Sequence, residues 1–70
     1  MDIMRLTVKY ETLNEENVNK LRNLLGGYEF NLSKIGEGLM LFIEADRDDM
    51  LIILEIATRF SYRDLMLRHS

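Results

Sequence analysis

Residues 28–46, YEFNLSKIGEGLMLFIEAD, decide the fold of this chain. Residues 28–35 alternate between apolar and polar side chains, which is the period of a strand with one buried face. Gly36-Glu37-Gly38 follows, and a short glycine-containing turn between two strand patterns predicts a β-hairpin. Residues 39–45 are apolar on both faces. This pattern predicts a central strand and leaves open which of its faces points to the core.

A strand and a helix precede the hairpin. Residues 3–11 alternate strictly between apolar and polar side chains, which predicts a half-buried strand. Asn14 is a favourable helix cap, and Glu15 and Glu16 complement the positive end of a helix dipole. The apolar stripe that starts at Val18 then predicts the first helix.

A second helix follows the hairpin. Asp46 stands at the cap position with Asp48 and Asp49 in the first turn, and the apolar pattern continues to about Phe60. The apolar arc of this helix covers roughly 200°, whereas a helix packed on one sheet needs an arc of only about 100°. The surplus predicts that a second surface covers this helix.

The apolar pattern of the C-terminal residues is out of phase with that of the second helix. Ser61 followed by Asp64 resembles a capping box, which predicts a separate short helix over residues 61–68. The whole chain then forms a single α+β domain, residues 1–70, with the element order β-α-β-β-α and a short C-terminal helix.

The expected sheet has three strands in the order 2-3-1, with both helices on one face. A right-handed crossover would set the first strand parallel to the third, so the sheet would be mixed. This topology resembles a ferredoxin-like or ACT-type fold that lacks its last strand. The first strand would then be an exposed edge, which Arg5 and Lys9 would protect or which would pair with another strand.

The composition bounds the class of function. The 70 residues contain no cysteine and only one histidine, His69, so a disulfide and a multi-histidine metal site are excluded. The formal net charge of −3 argues against nucleic acid as a partner, because phosphates require a basic face. No apolar run approaches the roughly 20 residues that span a bilayer, and the first residues lack a secretory pattern, so we expect a cytoplasmic location. A domain this short buries only about 60% of its unfolded surface, which favours stabilisation as a homodimer.

Two sequence features could carry chemistry, and each has a structural explanation. Gly36-Glu37-Gly38 joins two strands, whereas a phosphate-binding loop leads into a helix. The densest group of acids lacks the pattern of a calcium loop and is explained by helix capping, although a basic partner could dock on it. The members of this acidic patch are Glu44, Asp46, Asp48 and Asp49. No nucleophile stands beside a base, so we expect neither enzymatic activity nor a cofactor.

Three further surfaces are candidates for interaction. If residues 39, 41 and 43 face the core, Met40 and Phe42 form an apolar stripe on an otherwise polar sheet face. In the opposite register, residues 39, 41 and 43 form the exposed apolar stripe. The surplus arc of the second helix requires a cover over Ile52 and Ile56, supplied by this chain or by a second protomer. The third candidate combines residue types that are enriched in binding hot spots, namely Arg59, Tyr62 and Arg63.

These features favour a non-enzymatic module for protein–protein interaction, homodimeric and acting as an inhibitor or adaptor of a larger macromolecular machine. Small viral inhibitors encoded by phages and mobile elements, anti-CRISPR proteins among them, share this general profile. Two alternatives stay open. An ACT-like regulatory domain would bind a small ligand at the first strand–helix loop, residues 11–14. A single-strand nucleic-acid binder would stack a base on Phe42.

Overall fold

The structure is a computed structural model that describes residues 2–70. Its elements in chain order are β1 (Ile3–Tyr10), α1 (Glu15–Leu24), β2 (Phe30–Ile35), β3 (Gly38–Asp46), α2 (Arg47–Ala57) and β4 (Asp64–His69). The four strands form one antiparallel sheet in the order β2-β3-β1-β4. Buried side chains of both helices join those of the sheet in a single core, which confirms the α+β class.

The expected C-terminal helix is wrong, because residues 64–69 form the fourth strand. This strand pairs with β1, and hydrogen bonds at both ends extend the pairing. The Arg63 amide donates to the carbonyl of Lys9 over 2.7 Å, and the Ser70 amide donates to the carbonyl of Ile3 over 2.9 Å. The free edge of β1 offers a row of donors and acceptors, and the six residues of β4 satisfy them better as a strand than as an isolated helix.

The expected mixed sheet of three strands is also wrong. The chain crosses from β1 through α1 to β2, so β1 and β2 run in the same direction with β3 between them. Because β3 is the hairpin partner of β2, it must run antiparallel to β1. The predicted 2-3-1 order is present within the larger sheet. The chain completes the β-α-β-β-α-β order of the ferredoxin-like arrangement rather than truncating it.

A consequence is that β1 is a central strand and not an exposed edge. It lies between β3 and β4, and the free edges of the sheet belong to β2 and β4. Arg5 and Lys9 therefore do not protect an edge. They stand on a sheet face, in the middle of the pairing pattern.

Both predicted helix caps are present. The Asn14 side chain accepts a hydrogen bond of 2.8 Å from the Asn17 amide, and the Asp46 side chain accepts one of 2.9 Å from the Asp49 amide. Each contact satisfies an N-terminal amide that has no partner within its helix. The second helix ends at Ala57 rather than near Phe60.

The predicted hairpin is also present, and its glycines have different roles. Gly36 has a φ of +59° while the following Glu37 does not have a positive φ, which is the pattern of a type II′ turn. Gly38 lies so close to β1 that a Cβ atom there would stand 2.6 Å from the carbonyl oxygen of Tyr10. The hairpin end therefore packs directly on the backbone at the end of β1.

The core settles which face of β3 points inward. Leu41 and Ile43 are fully buried, together with Leu6 and Val8 of the neighbouring strand. Met40 and Phe42 therefore lie on the opposite face. The buried apolar side chains are Leu6, Val8, Tyr10, Leu21, Leu25, Leu41, Ile43, Met50, Ile53, Ile56 and Ala57.

Candidate functional site

The helices cover one face of the sheet, and we call the other face the open face. Its central row follows from the strand register: Asn31 of β2, Phe42 of β3, Thr7 of β1 and Met66 of β4 lie side by side. Phe42 is 38% exposed and Met66 is 50% exposed. The short Thr7 side chain lies between them, so the side chains of Phe42 and Met66 flank a shallow depression in the middle of the sheet face.

The next row extends this apolar surface toward the hairpin. Met40 stands beside Lys9 on β1, and Ile35 occupies the hairpin end of β2 on the same face. Ile35 is exposed and Met40 is partly exposed. Ile3, at the opposite end of β1, also lies on the open face. We call the four apolar residues nearer the centre and the hairpin the apolar band, and its members are Ile35, Met40, Phe42 and Met66.

Sequence reasoning identified half of the apolar band. Met40 and Phe42 were expected in one of the two registers, and the structure has that register. Met66 lies within the helix predicted over residues 61–68 and was therefore missed. The signal that finds it is the alternation of Asp64, Met66 and Arg68 with Leu65 and Leu67.

Charged side chains surround the apolar band. The Nε atom of Arg5 lies 3.3 Å from Oε2 of Glu44, which stands directly opposite on β3. On the other side of β1, Arg68 stands opposite Arg5, and Asp64 stands opposite Lys9. Apart from Asp46, whose carboxylate caps α2, the strands of the open face thus carry three basic and two acidic side chains, a net charge of +1, while the whole chain has a net charge of −3.

The candidate surface on α2 is only partly free. Ile56 is 8% exposed, because the chain's own core covers it, so it is not available to a partner. Ile52 remains exposed, and so does Leu51, which is 66% exposed. The surplus apolar arc of the helix is therefore covered at Ile56 by the same chain and is bare at Ile52.

The C-terminal candidates are all exposed and lie in the loop between α2 and β4. Arg59 contacts Glu55 one helical turn away over 3.8 Å, which is an exposed ion pair of small energetic value. Tyr62 is exposed in the loop between α2 and β4. Arg63 follows in the same loop, and its amide is bonded to the end of β1.

The acidic candidates are divided between β3 and the start of α2. Glu44 belongs to the open face, where it pairs with Arg5, while Asp46 caps α2 and Asp48 and Asp49 lie in the first turn of that helix. Within residues 2–70, no group of three or more histidine, cysteine, aspartate or glutamate side chains is arranged to hold a metal ion. The helix therefore accounts for the three aspartates.

A hollow of about 810 Å³ lies where the end of β1, the hairpin and the loop before β4 meet. Bases and acids of the open face and its surroundings line it, including Lys9, Arg63 and Glu37. The loop proposed for a small ligand contributes Glu11 and Thr12. The hydroxyl of Tyr10 does not serve the hollow, because it is buried and donates to a carbonyl of α2.

The structure therefore brings together an exposed aromatic side chain, three further apolar residues and a mixed charged rim on one face. In residues 2–70, none of the helices is long and apolar enough to cross a membrane. No protein-family model matches the chain, and neither a curated protein nor a solved structure matches it.

Proposed function

We propose that this chain is a non-enzymatic protein-binding module that engages its partner through the open face of the sheet. The observation that carries this proposal is the apolar band. An antiparallel sheet tolerates one face in water when that face is polar. Here an exposed phenylalanine and an exposed methionine stand at the centre of the bare face instead.

The layout of the open face matches the anatomy of a binding surface. Hot spots are typically aromatic or arginine residues near the centre, and a rim of polar groups surrounds them. Phe42 has the central place here, and Arg5, Lys9 and Arg68 lie around it. Burying a fully exposed phenylalanine side chain contributes about 1.5–3 kcal/mol. Phe42 is 38% exposed, so covering it supplies only part of that amount, and covering Met66 adds to it.

The charges indicate the chemistry of the partner. The open face has a net charge of +1, and its Arg68 has no carboxylate within 4 Å among residues 2–70. A complementary partner surface has an apolar centre with carboxylates at its edge. Such charges raise the association rate and fix the orientation of the complex more than they raise the affinity.

The small size of the chain favours an inhibitor or adaptor role. A sheet face of this kind blocks or bridges surfaces of a larger machine without any chemistry of its own. The functional unit in this proposal is a homodimer, which presents two open faces and gives a 70-residue chain a larger buried surface.

A single-strand nucleic-acid binder is the second candidate, and one observation favours it. Phe42 shares the open face with Arg5, Lys9 and Arg68. Sheets that bind single-stranded nucleic acid stack a nucleobase on an aromatic ring and contact the phosphates with basic side chains. The proposal ranks second because Phe42 is the one aromatic side chain on this face within residues 2–70.

The experiment compares three tagged baits in affinity capture from the native host. Phe42→Asp places a charge at the centre of the open face, and Leu51→Asp is the matched control on the helix side. We expect the wild type and L51D to retain the same protein and F42D to lose it. A protein retained by F42D and lost by L51D would assign the interface to α2. Capture of nucleic acid without protein would favour the second candidate.

A further inference from the structure

We propose that the free edge of β4 pairs with the β4 edge of a second copy of this chain, antiparallel and with Met66 opposite Met66 at the twofold axis. This inference rests on the homodimer of the proposed function and specifies its interface. It uses Met66 and Arg68 at the β4 side of the open face and leaves Phe42 and Lys9 to a different partner.

The backbone of β4 shows which residues are free to pair. In an antiparallel pair, residues alternate between those that exchange hydrogen bonds with the partner strand and those whose backbone groups point away. The Ser70 amide donates to the carbonyl of Ile3 in β1. By the alternation of the ladder, the backbone amides and carbonyls of the even-numbered residues of β4 therefore point toward β1. The amides and carbonyls of Leu65, Leu67 and His69 therefore point to the free edge.

The present partner of one edge group agrees with this assignment. The Leu65 amide donates to its neighbour Asp64, at 3.0 Å from Oδ1, rather than to another strand. A side chain that occupies an edge amide is easily replaced by a carbonyl of an arriving strand. Pairing would therefore free the Asp64 carboxylate for a different contact.

The hydrogen-bonding pattern restricts the register. In a symmetric pair, two residues that exchange hydrogen bonds must both belong to the outward-pointing set. This condition is met when Leu65 of each copy lies opposite Leu67 of the other copy. The two pairs exchange two hydrogen bonds each, which gives four backbone hydrogen bonds. Met66 then meets Met66 of the second copy as a pair that exchanges no hydrogen bonds, in which side chains approach most closely.

The side chains favour the same register. Asp64 falls opposite Arg68 of the second copy, and the twofold axis repeats this contact, so two opposite-charge pairs form. The leucines pair on the helix side of the sheet, and the methionines pair on the open face. Every large or charged side chain of β4 before His69 thereby meets a complementary one.

Neighbouring registers lose this complementarity. A shift of one residue turns the side chains of one copy to the wrong face. A shift that moves the axis to Leu65 sets Asp64 opposite Met66, and a shift to Leu67 sets Arg68 opposite Met66. Each of these leaves charged groups against apolar ones.

In the monomer, β4 carries an arginine without a carboxylate partner among residues 2–70 and two exposed apolar side chains, and this pairing would give each of them a contact. Arg68 stands opposite Arg5, and like charges directly opposite each other are destabilising. Arg5 is already engaged by Glu44. Leu67 is exposed although it belongs to the helix side of the sheet, and Met66 is exposed on the open face. A second copy supplies a carboxylate to Arg68 and apolar contact to the other two.

The other free edge lacks these properties. The sequence of β2, FNLSKI, contains Lys34 and no acidic residue, so a symmetric pair has no carboxylate for this lysine. A lysine on an edge strand is a usual device against edge pairing. Phe30 and Leu32 are already packed against the core of their own chain.

A charge-exchange experiment tests the contacts. Asp64→Arg and Arg68→Asp, made separately, each set like charges opposite each other in a homodimer, so we expect each to shift dimerisation to about tenfold higher concentration. An equimolar mixture restores both opposite-charge pairs, and we expect a heterodimer by analytical ultracentrifugation. Circular dichroism verifies that both variants fold. A mixture no more dimeric than its components would overturn the register.

A cysteine experiment tests the axis, because the chain has no cysteine of its own. In Met66→Cys the two Cα atoms would be about 4.5 Å apart, which is within the range for a disulfide. Ser33→Cys is the matched control on the exposed face of β2. We expect oxidation to cross-link M66C rapidly and S33C slowly. Cross-linking of S33C in preference to M66C, or a wild-type chain that stays monomeric at all concentrations, would overturn the proposal. Loss of partner capture by F42D with the dimer intact would show that the open face and this edge act separately.

Discussion

The hydroxyl of Tyr10 donates a hydrogen bond of 2.8 Å to the carbonyl oxygen of Ala57. Tyr10 is the last residue of β1 and Ala57 is the last residue of α2, so this bond fastens the second helix to the central strand. Both residues are buried. The contact also satisfies one of the helix's C-terminal carbonyls, which have no partner within the helix.

Removing this hydroxyl should destabilise the fold. We expect Tyr10→Phe to lower the free energy of unfolding by about 1–3 kcal/mol, because the carbonyl of Ala57 is left buried without a donor. Urea titration followed by circular dichroism measures this value. The matched control is Tyr62→Phe, which changes an exposed tyrosine and should leave the midpoint unchanged. Equal midpoints for both variants would contradict the role of Tyr10.

The same tyrosine should make the stability depend on alkaline pH. Burial raises the pKa of Tyr10 from 10.0 to about 12, since the phenolate is poorly solvated in the core. The neutral form is thus favoured in the folded state, and its contribution is complete below pH 10. Between pH 10 and 12 the unfolded chain loses the proton first, so the free energy of unfolding should fall by up to about 1.4 kcal/mol per pH unit. Urea titrations across this range should show a smaller decline for Y10F, and parallel declines would contradict the assignment.

The hairpin should reject a side chain at Gly38. A Cβ atom there would stand 2.6 Å from the carbonyl oxygen of Tyr10, so the backbone of β1 or of the hairpin must move. We expect Gly38→Ala to cost about 1–3 kcal/mol of stability by thermal or urea unfolding. Gly27→Ala is the control, because nothing lies within 4 Å of its Cβ position, and it should be neutral or slightly stabilising. A harmless G38A would contradict the close packing of the hairpin on β1.

Proline substitutions in β4 should distinguish the two sides of the strand. Arg68→Pro removes an amide that faces β1, whereas Leu67→Pro removes one that faces the free edge. We therefore expect R68P to lower the thermal midpoint more than L67P, and we expect L67P to abolish dimerisation. Equal losses of stability would contradict the strand's orientation and would be expected of a helix.

The hairpin and the caps could be predicted from the sequence because their signals are local. Gly36 supplies the positive φ of the turn, and Asn14 and Asp46 each bond an amide three residues ahead. Such contacts depend on a few neighbouring residues and not on the rest of the fold. Their positions follow without knowledge of the sheet.

The fourth strand could not be predicted in the same way. Leu65, Met66 and Leu67 are consecutive apolar residues, and so short a run fits a helix as well as a strand. The free edge of β1, more than fifty residues earlier in the chain, decides between them. The direction of β1 was missed for a related reason, since it depends on the strand order and not on any residue within β1.

The candidate site shows the same limit. β3 is apolar on both faces, so its own sequence does not say whether Phe42 points in or out. The structure places Phe42 between Asn31 and Thr7, whose alternation with apolar residues does fix their faces. The source of the cover over Ile56 stayed open between this chain and a second protomer, because the cover that the chain itself supplies is not visible in the helix sequence.

If the open face holds the partner, calorimetric titration of the purified captured partner should reveal the contribution of Phe42. The wild-type chain, F42D and L51D are titrated under the same conditions after circular dichroism has verified their folds. We expect an affinity about tenfold or more lower for F42D and an unchanged affinity for L51D. An unchanged affinity for F42D would contradict binding through the open face.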